Sequence, residues 1–269
     1  MLKERVLTAV IGLPVVLVLL YFGGIPFTAL IFVMSEIALH EYAKCTGTGK
    51  SAVFYVCAVF DALQFLLIGP MGIRAPLLCA VFCLIVSGSV TVFFYGKVKP
   101  EDTMVLLFGF LYVCVLMAVI AMLRNRDCGF YYLVFALIAA WGSDTFAYIA
   151  GRAIGKHKMT PALSPKKTWE GFAGGLFGAG ALAVVFALIF RSKLTLIPAP
   201  VFSTAVITFA AALFGVAGDL FASAIKRHYG VKDYGNIFPG HGGVMDRTDS
   251  LLFTAGFLYF AFELLEMLK

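Results

Sequence analysis

Runs of apolar residues broken by short polar links dominate the chain from one end to the other. Nine blocks are long enough, or nearly so, to cross about 30 Å of hydrocarbon. They fall near 6–22, 25–40, 52–69, 73–95, 103–122, 130–151, 171–190, 201–224 and 251–268. The pattern predicts an all-α polytopic membrane protein with about nine transmembrane helices. The links are short, so residues 1–269 are expected to form a single transmembrane domain. Lys3 and Arg5 precede the first apolar run, as in a signal sequence, but no A-x-A-like cleavage site follows. That run is therefore read as a retained first span.

Composition points the same way. Hydrophobic residues make up 61% and charged residues 13%, against about 45–50% and about 25% in a soluble domain. One soluble core of this size cannot bury that excess, so the bilayer must be its solvent. The net charge of +6 is carried by bases lying between apolar blocks. It therefore points to lipid headgroups, phosphate substrates and topology, and not to nucleic acid. With the N-terminus in the cytoplasm, fifteen of the 21 Lys and Arg fall inside. An odd number of spans then leaves the C-terminus outside. Two longer polar linkers, 152–170 and 225–250, both land on the cytoplasmic side, where nucleotides are. The six cysteines form no CxxC pair and read as small apolar fillers.

The second linker combines three chemistries. Asp219, Asp233, Asp246 and Asp249 offer hard oxygen ligands suited to magnesium. Lys226, Arg227, Lys232 and Arg247 offer positive charge for phosphates. Gly235, Gly240, Gly242 and Gly243 let backbone approach a ligand. Asp219 and Ser223 are four apart and share a helix face, and Asp246 and Asp249 share one if the next helix has begun. Asp219 lies inside an apolar block, where an ionisable residue is costly and suggests a site.

The first linker region carries Ser143, Asp144 and Tyr148, with Asp144 and Tyr148 on one face. It ends Ser164-Pro165-Lys166-Lys167-Thr168-Trp169-Glu170-Gly171. Ser164 as cap and Pro165 in the first turn predict a helix start. Lys166 and Lys167 there would oppose the helix dipole unless a phosphate offset them. Gly171, Gly174, Gly175 and Gly178 form small-xxx-small pairs and predict close helix packing. Glu36, Glu41 and Asp61 lie in or beside apolar blocks, with nothing in the sequence to place them near the site. His157 and His228 read as solvated. His241, set among glycines, is suited either to ordering the loop or to contacting substrate.

The stretch from Ser223 to Asp249 resembles the signature of the phosphatidate cytidylyltransferases, the CDP-diacylglycerol synthases. The matching positions are Ser223, Lys226-Arg227, Lys232-Asp233, Gly235, Pro239, His241-Gly242-Gly243, Asp246-Arg247 and Asp249. The stretch from Ser143 to Gly171 is similar to the family's second recurrent block, so the site region is expected within 140–250. The resemblance implies transfer of a cytidylyl group from CTP to phosphatidic acid, with CDP-diacylglycerol and pyrophosphate as products. It implies a magnesium-dependent homodimer, with potassium as an additional ion. Asp219, Asp246 and Asp249 are its expected metal ligands and, with Lys226 and Arg227, its catalytic set. Ser143, Asp144, Lys166, Lys167, Ser223, Lys232, His241, Gly242, Gly243 and Arg247 are the expected substrate-binding residues. The expected location is the inner (cytoplasmic) membrane, with the site facing the cytoplasm and lipids around the spans. Two other readings stay open on residues alone: a CTP-dependent lipid-alcohol kinase, which needs a general base, and a transporter with Glu36, Asp61 and Asp144 along a path.

Overall fold

The computed structural model describes residue 14, residues 16–237 and residues 242–267. Gly23 and Gly24 have positive φ, which glycine adopts without a Cβ penalty, and a run of helices follows. These are α1 (Gly24–Cys45), α2 (Ala52–Met71) and α3 (Arg74–Phe93). Ser51 caps α2 by accepting the Val53 N–H. The next span, Pro100–Asn125, joins α4 (Pro100–Gly109), a π-helical stretch Phe110–Val115 and α5 (Leu116–Asn125). Pro100 enters its first turn, with Glu101 and Asp102 where the dipole favours acids.

Gly129–Ile154 repeats that construction with α6 (Gly129–Leu137), a π-helical stretch Ile138–Gly142 and α7 (Ser143–Ile154). An antiparallel hairpin follows, β1 (Lys158–Thr160) paired with β2 (Ser164–Thr168). Three helices complete the chain: α8 (Trp169–Ile189), α9 (Pro200–His228) and α10 (Met245–Met267). At about 1.5 Å per residue, a 20-residue helix spans about 30 Å. Eight helices among the described residues are long and apolar enough to cross a membrane. The protein is thus an all-α polytopic membrane protein, and these eight match the last eight apolar blocks. The first predicted span, 6–22, lies largely outside the described residues, with residues 16–22 helical.

The chain forms two compact units. Unit 1 contains the chain through Asn125 and the returning segment Tyr229–Arg247, and unit 2 contains Arg126–His228 and the chain from Thr248 onward. Unit 1 is packed by Leu39, Val53, Leu106 and Phe110 together with Cys57, Cys79, Cys83 and Cys114. All six cysteines are free thiols, four of them buried as fillers. Large apolar side chains such as Phe82, Phe93, Phe177, Phe202 and Phe260 are exposed, as a lipid-facing surface requires.

Two local expectations fail. Ser164-Pro165-Lys166-Lys167 does not start a helix, because Ser164–Thr168 is β2. The helix begins at Trp169 with Thr168 as cap, its side chain accepting the Gly171 N–H. Glu170 sits in the first turn. The physical reason is the dipole: the start at Thr168 puts an acid in the first turn and leaves both lysines outside it. The second linker is also shorter than expected. Helix α9 runs on to His228 and α10 starts at Met245. Lys226 and Arg227 are therefore in the last turn of α9, where cations are favoured.

Candidate active site

In unit 2 the glycines of α8 bring it against α7, backbone to backbone. A Cβ on Gly175 would lie 2.8 Å from the Ser143 carbonyl oxygen, and one on Gly171 would lie 2.8 Å from that of Ala147. Gly174 meets Ala150, and Gly178 receives the Phe146 ring. This is the close packing the glycine spacing predicted. Gly151 on α7 faces the cap, where a Cβ would stand 3.0 Å from the Thr168 Oγ1. The hairpin is therefore held over the C-terminal half of α7. Glu170 fixes its other side: the carboxylate accepts the His157 N–H at 3.3 Å and pairs with the His157 Nδ1 at 2.6 Å. His157 is solvent-exposed, as expected, but ordered by that pairing.

Between these elements lies a cavity of about 380 Å³. Asp144, Tyr148 and Arg152 enter it from α7, Lys158, Lys166 and Lys167 from the hairpin, and Phe172 from α8. Tyr148 accepts a hydrogen bond from the Arg152 Nη1 at 3.1 Å. Four bases facing one acid give it the charge to hold an anion, between aromatic and aliphatic walls. Two of these bases, Arg152 and Lys158, were not among the candidate site residues. Only their approach through the hairpin and helix α7 identifies them.

The acids of unit 2 gather beside the cavity. Lys167 forms an ion pair with Asp219 on α9, and its ammonium makes no aligned hydrogen bond. It is held there by charge. Asp144 is within electrostatic reach of both Lys167 and Asp219. Asp249 senses Asp219, Asp144 and Lys226. The approach of α9 to α10 depends on two more glycines. A Cβ at Gly218 would stand 2.7 Å from the Asp249 carbonyl oxygen, and one at Gly215 would stand 2.7 Å from the Thr254 Cγ2. Lys226 is only 8% exposed. A buried lysine needs a partner charge, and the Asp249 carboxylate provides one.

In unit 1 the signature loop folds on two other carboxylates. The Asp246 Oδ2 accepts the Tyr234 N–H at 2.9 Å and the Gly243 N–H at 3.0 Å. Gly242 has φ +84°, and a Cβ there would lie 2.9 Å from the same oxygen. Glu41 on α1 accepts the Val244 N–H at 3.2 Å and the Met245 N–H at 2.9 Å. Tyr234 is buried in this loop, which pushes its phenol well above the usual range. It therefore remains a neutral side chain at physiological pH.

The expected residues are thus placed as follows. Unit 2 brings together Asp144, Lys166, Lys167, Asp219, Lys226 and Asp249. Ser143 lies beside them but donates to the Ala140 carbonyl at 2.9 Å. Ser223 is half-buried and Arg227 exposed on α9. Unit 1 holds Gly242, Gly243, Asp246 and Arg247, with Lys232 exposed on its loop. His241 falls outside the described residues. Glu41 is the residue that sequence reasoning set aside and the structure puts against the signature loop.

A family model described as "Cytidylyltransferase family" matches residues 3–265. The chain belongs to the cytidylyltransferase family. Phosphatidate cytidylyltransferases are among its relatives. That of Bacillus subtilis (strain 168) is 35% identical over 268 residues, covering 97% of this chain and 98% of the relative. That of Staphylococcus haemolyticus (strain JCSC1435) is 33% identical over 257 residues, covering 93% and 95%. That of Staphylococcus aureus (strain COL) is 33% identical over 256 residues, with the same coverage. The match runs through both units, so the first four described helices belong to the family's architecture as much as the signature does.

The resemblance brings magnesium with it, and the residues can be tested for fit. No three acidic, histidine or cysteine side chains among the described residues form a ready-made metal cluster. Magnesium does not need one: it keeps several waters and is usually held by one or two carboxylates plus substrate phosphates. Asp219 and Asp249 supply such a pair, close enough to sense each other. A lysine already neutralises Asp219, which marks that carboxylate as one that accommodates a cation. The donor set fits.

Proposed function

We propose that this cytidylyltransferase-family protein transfers the cytidylyl group of CTP to phosphatidic acid, giving CDP-diacylglycerol and pyrophosphate. The observation that carries the reading is the cavity of unit 2, with Arg152, Lys158, Lys166 and Lys167 facing it beside the Asp144–Asp219–Asp249 group. The names of the relatives supply the substrates.

The chemistry needs little from a general base. A phosphate monoester has a second pKa near 6, so phosphatidic acid is already an oxyanion at neutral pH. One of its phosphate oxygens attacks the α-phosphorus of CTP in line. The new oxygen–phosphorus bond forms as the α–β bridging bond breaks, and pyrophosphate leaves with the electron pair. The protein's task is to bring two polyanions together. Arg152, Lys158 and Lys166 bind the triphosphate, whose charge four bases suit better than they suit a monoester. Lys167 exchanges its Asp219 partner for a phosphate. Lys226 places a positive charge within electrostatic reach of the buried Asp249 carboxyl. Asp219 and Asp249 would hold magnesium, which when bound supplies charge neutralisation on the phosphates. A lipid-alcohol kinase would instead need a base aimed at a hydroxyl, and the lysine-rich cavity gives no reason to prefer one.

The site faces the cytoplasm, the N-terminus is cytoplasmic and the C-terminus external, following the distribution of Lys and Arg. Phosphatidic acid keeps its acyl chains in the bilayer, since each buried CH₂ is worth about 0.8 kcal/mol. The protein works as a homodimer in the cytoplasmic membrane. The deciding experiment incubates purified protein with radiolabelled CTP, phosphatidic acid and magnesium, followed by lipid extraction. Label in a CDP-lipid with release of pyrophosphate is expected. Release of CDP with no labelled nucleotide on lipid would replace the transferase by a kinase. A cysteine in place of Lys167 should react with impermeant reagent only from the cytoplasmic side, and labelling of intact cells would reverse the orientation.

A further inference from the structure

We propose that Glu41 is a positioning residue for the transfer: from unit 1's first described long helix it sets the backbone that presents Asp246 and Arg247. The inference rests on the proposed reaction. Glu41 lies four residues before the end of α1 and is 3% exposed. Both of its oxygens are engaged, Oε1 by the Val244 N–H and Oε2 by the Met245 N–H. Those donors lie at the start of α10, and the first N–H groups of a helix have no partner within it. Val244 and Met245 are themselves buried. Glu41 thus gives the buried Met245 N–H an acceptor, as a native fold requires of a buried donor. A carboxylate at a helix N-terminus also has the favourable sign for the dipole.

The signature is built to admit this side chain. A Cβ on Gly243 would run into both oxygens of Glu41, and one on Gly235 would lie 2.5 Å from its Cδ. Gly235 has no positive φ to require glycine. Its small size is needed because a carboxylate from 194 residues away in the chain passes through that point. One residue beyond the last Glu41 contact, Asp246 takes the Tyr234 and Gly243 N–H groups. Glu41 and Asp246 together hold Tyr234 and the Gly243–Met245 backbone at the start of α10. Glu41 acts through that backbone, and its own oxygens face amides.

The test compares Glu41→Gln, Glu41→Asp and Glu41→Ala with wild type in detergent. The measurements are kcat, KM for CTP and for phosphatidic acid, thermal midpoint, and amide hydrogen exchange of the 229–250 peptide. Glu41→Gln is expected to lower kcat by about 10- to 100-fold, the range for groups that orient functional residues. Both KM values should stay within about twofold, and exchange should quicken in 229–250 alone. Glu41→Asp, which keeps the charge, should recover part of the loss. Gly243→Ala should lower kcat in the same way without removing the acid, and adding it to Glu41→Ala should cause no further loss. That pair of variants decides the question if Glu41→Gln does not fold. An unchanged kcat in a folded Glu41→Gln overturns the inference, as does a rise in one KM with kcat kept. So does a loss that follows the thermal midpoint across all variants. If wild type itself makes no CDP-lipid, the proposed reaction fails, and the exchange measurement alone still judges the role of Glu41 in ordering the loop.

Discussion

Glu41 and Asp246 in unit 1 give their oxygens to backbone N–H groups, whereas Asp144, Asp219 and Asp249 in unit 2 face one another and two lysines. The two settings have different physical consequences. An acid that accepts amides satisfies donors that would otherwise be buried alone, and it orders a loop. Acids placed against each other repel unless cations offset their charge or a proton neutralises one of them. Lys167 and Lys226 are those cations in the structure. The comparison teaches that unit 1 arranges the signature while unit 2 concentrates the charge that phosphoryl chemistry requires.

The largest effect should come from neutralising the facing acids. Asp219→Asn and Asp249→Asn are expected to lower kcat on the order of 10³-fold, as for loss of a group acting on transition-state charge. Both should remain folded by circular dichroism. Near-normal turnover at limiting magnesium in either would remove that carboxylate from the chemistry. Next comes Lys226→Met, which leaves the buried Asp249 without a countercharge. A loss of about 3 kcal/mol in stability is expected, read from denaturant midpoints, and an unchanged midpoint would mean that Asp249 is compensated elsewhere. Asp246→Asn retains an oxygen for the Tyr234 and Gly243 amides, so a fall in kcat of about 10²-fold is expected. A loss as deep as that of Asp249→Asn would erase the distinction between the two units. The smallest effect belongs to the cavity rim. Arg152→Ala and Lys158→Ala should each raise KM for CTP by about fivefold with kcat nearly kept, because a binding charge acts on ground and transition states alike. A rise in KM for phosphatidic acid alone would assign the cavity to the lipid.

Much of this was legible in the residues. Asp219 stood out because an ionisable group inside an apolar block is costly, and Asp249 as a hard oxygen ligand in the polar linker; the structure groups both with Asp144. Glycines 171, 174, 175 and 178 predicted a helix contact and make one. The run Ser164-Pro165-Lys166-Lys167 misled, because its local cap chemistry is sound. A competing start at Thr168, with Glu170 in the first turn, satisfies the dipole better, and β1 offers the preceding residues a partner. The burial of Lys226 was not legible, because burial of a helix's last turn depends on what packs against it.

By itself the sequence determined the solvent of this protein and the places of eight described spans, and it singled out Asp144, Asp219 and Asp249 among the acids. Apolar length and the cost of charge in hydrocarbon are local properties, readable residue by residue. Only the tertiary structure decided that Glu41 caps a helix 203 residues away, that a hairpin brings Lys158 to the cavity Arg152 enters from α7, and that Lys226 is buried. Those are pairings between distant segments, set by which backbones approach closely enough to exclude a Cβ. No periodicity along the chain encodes the partner of a side chain that far away.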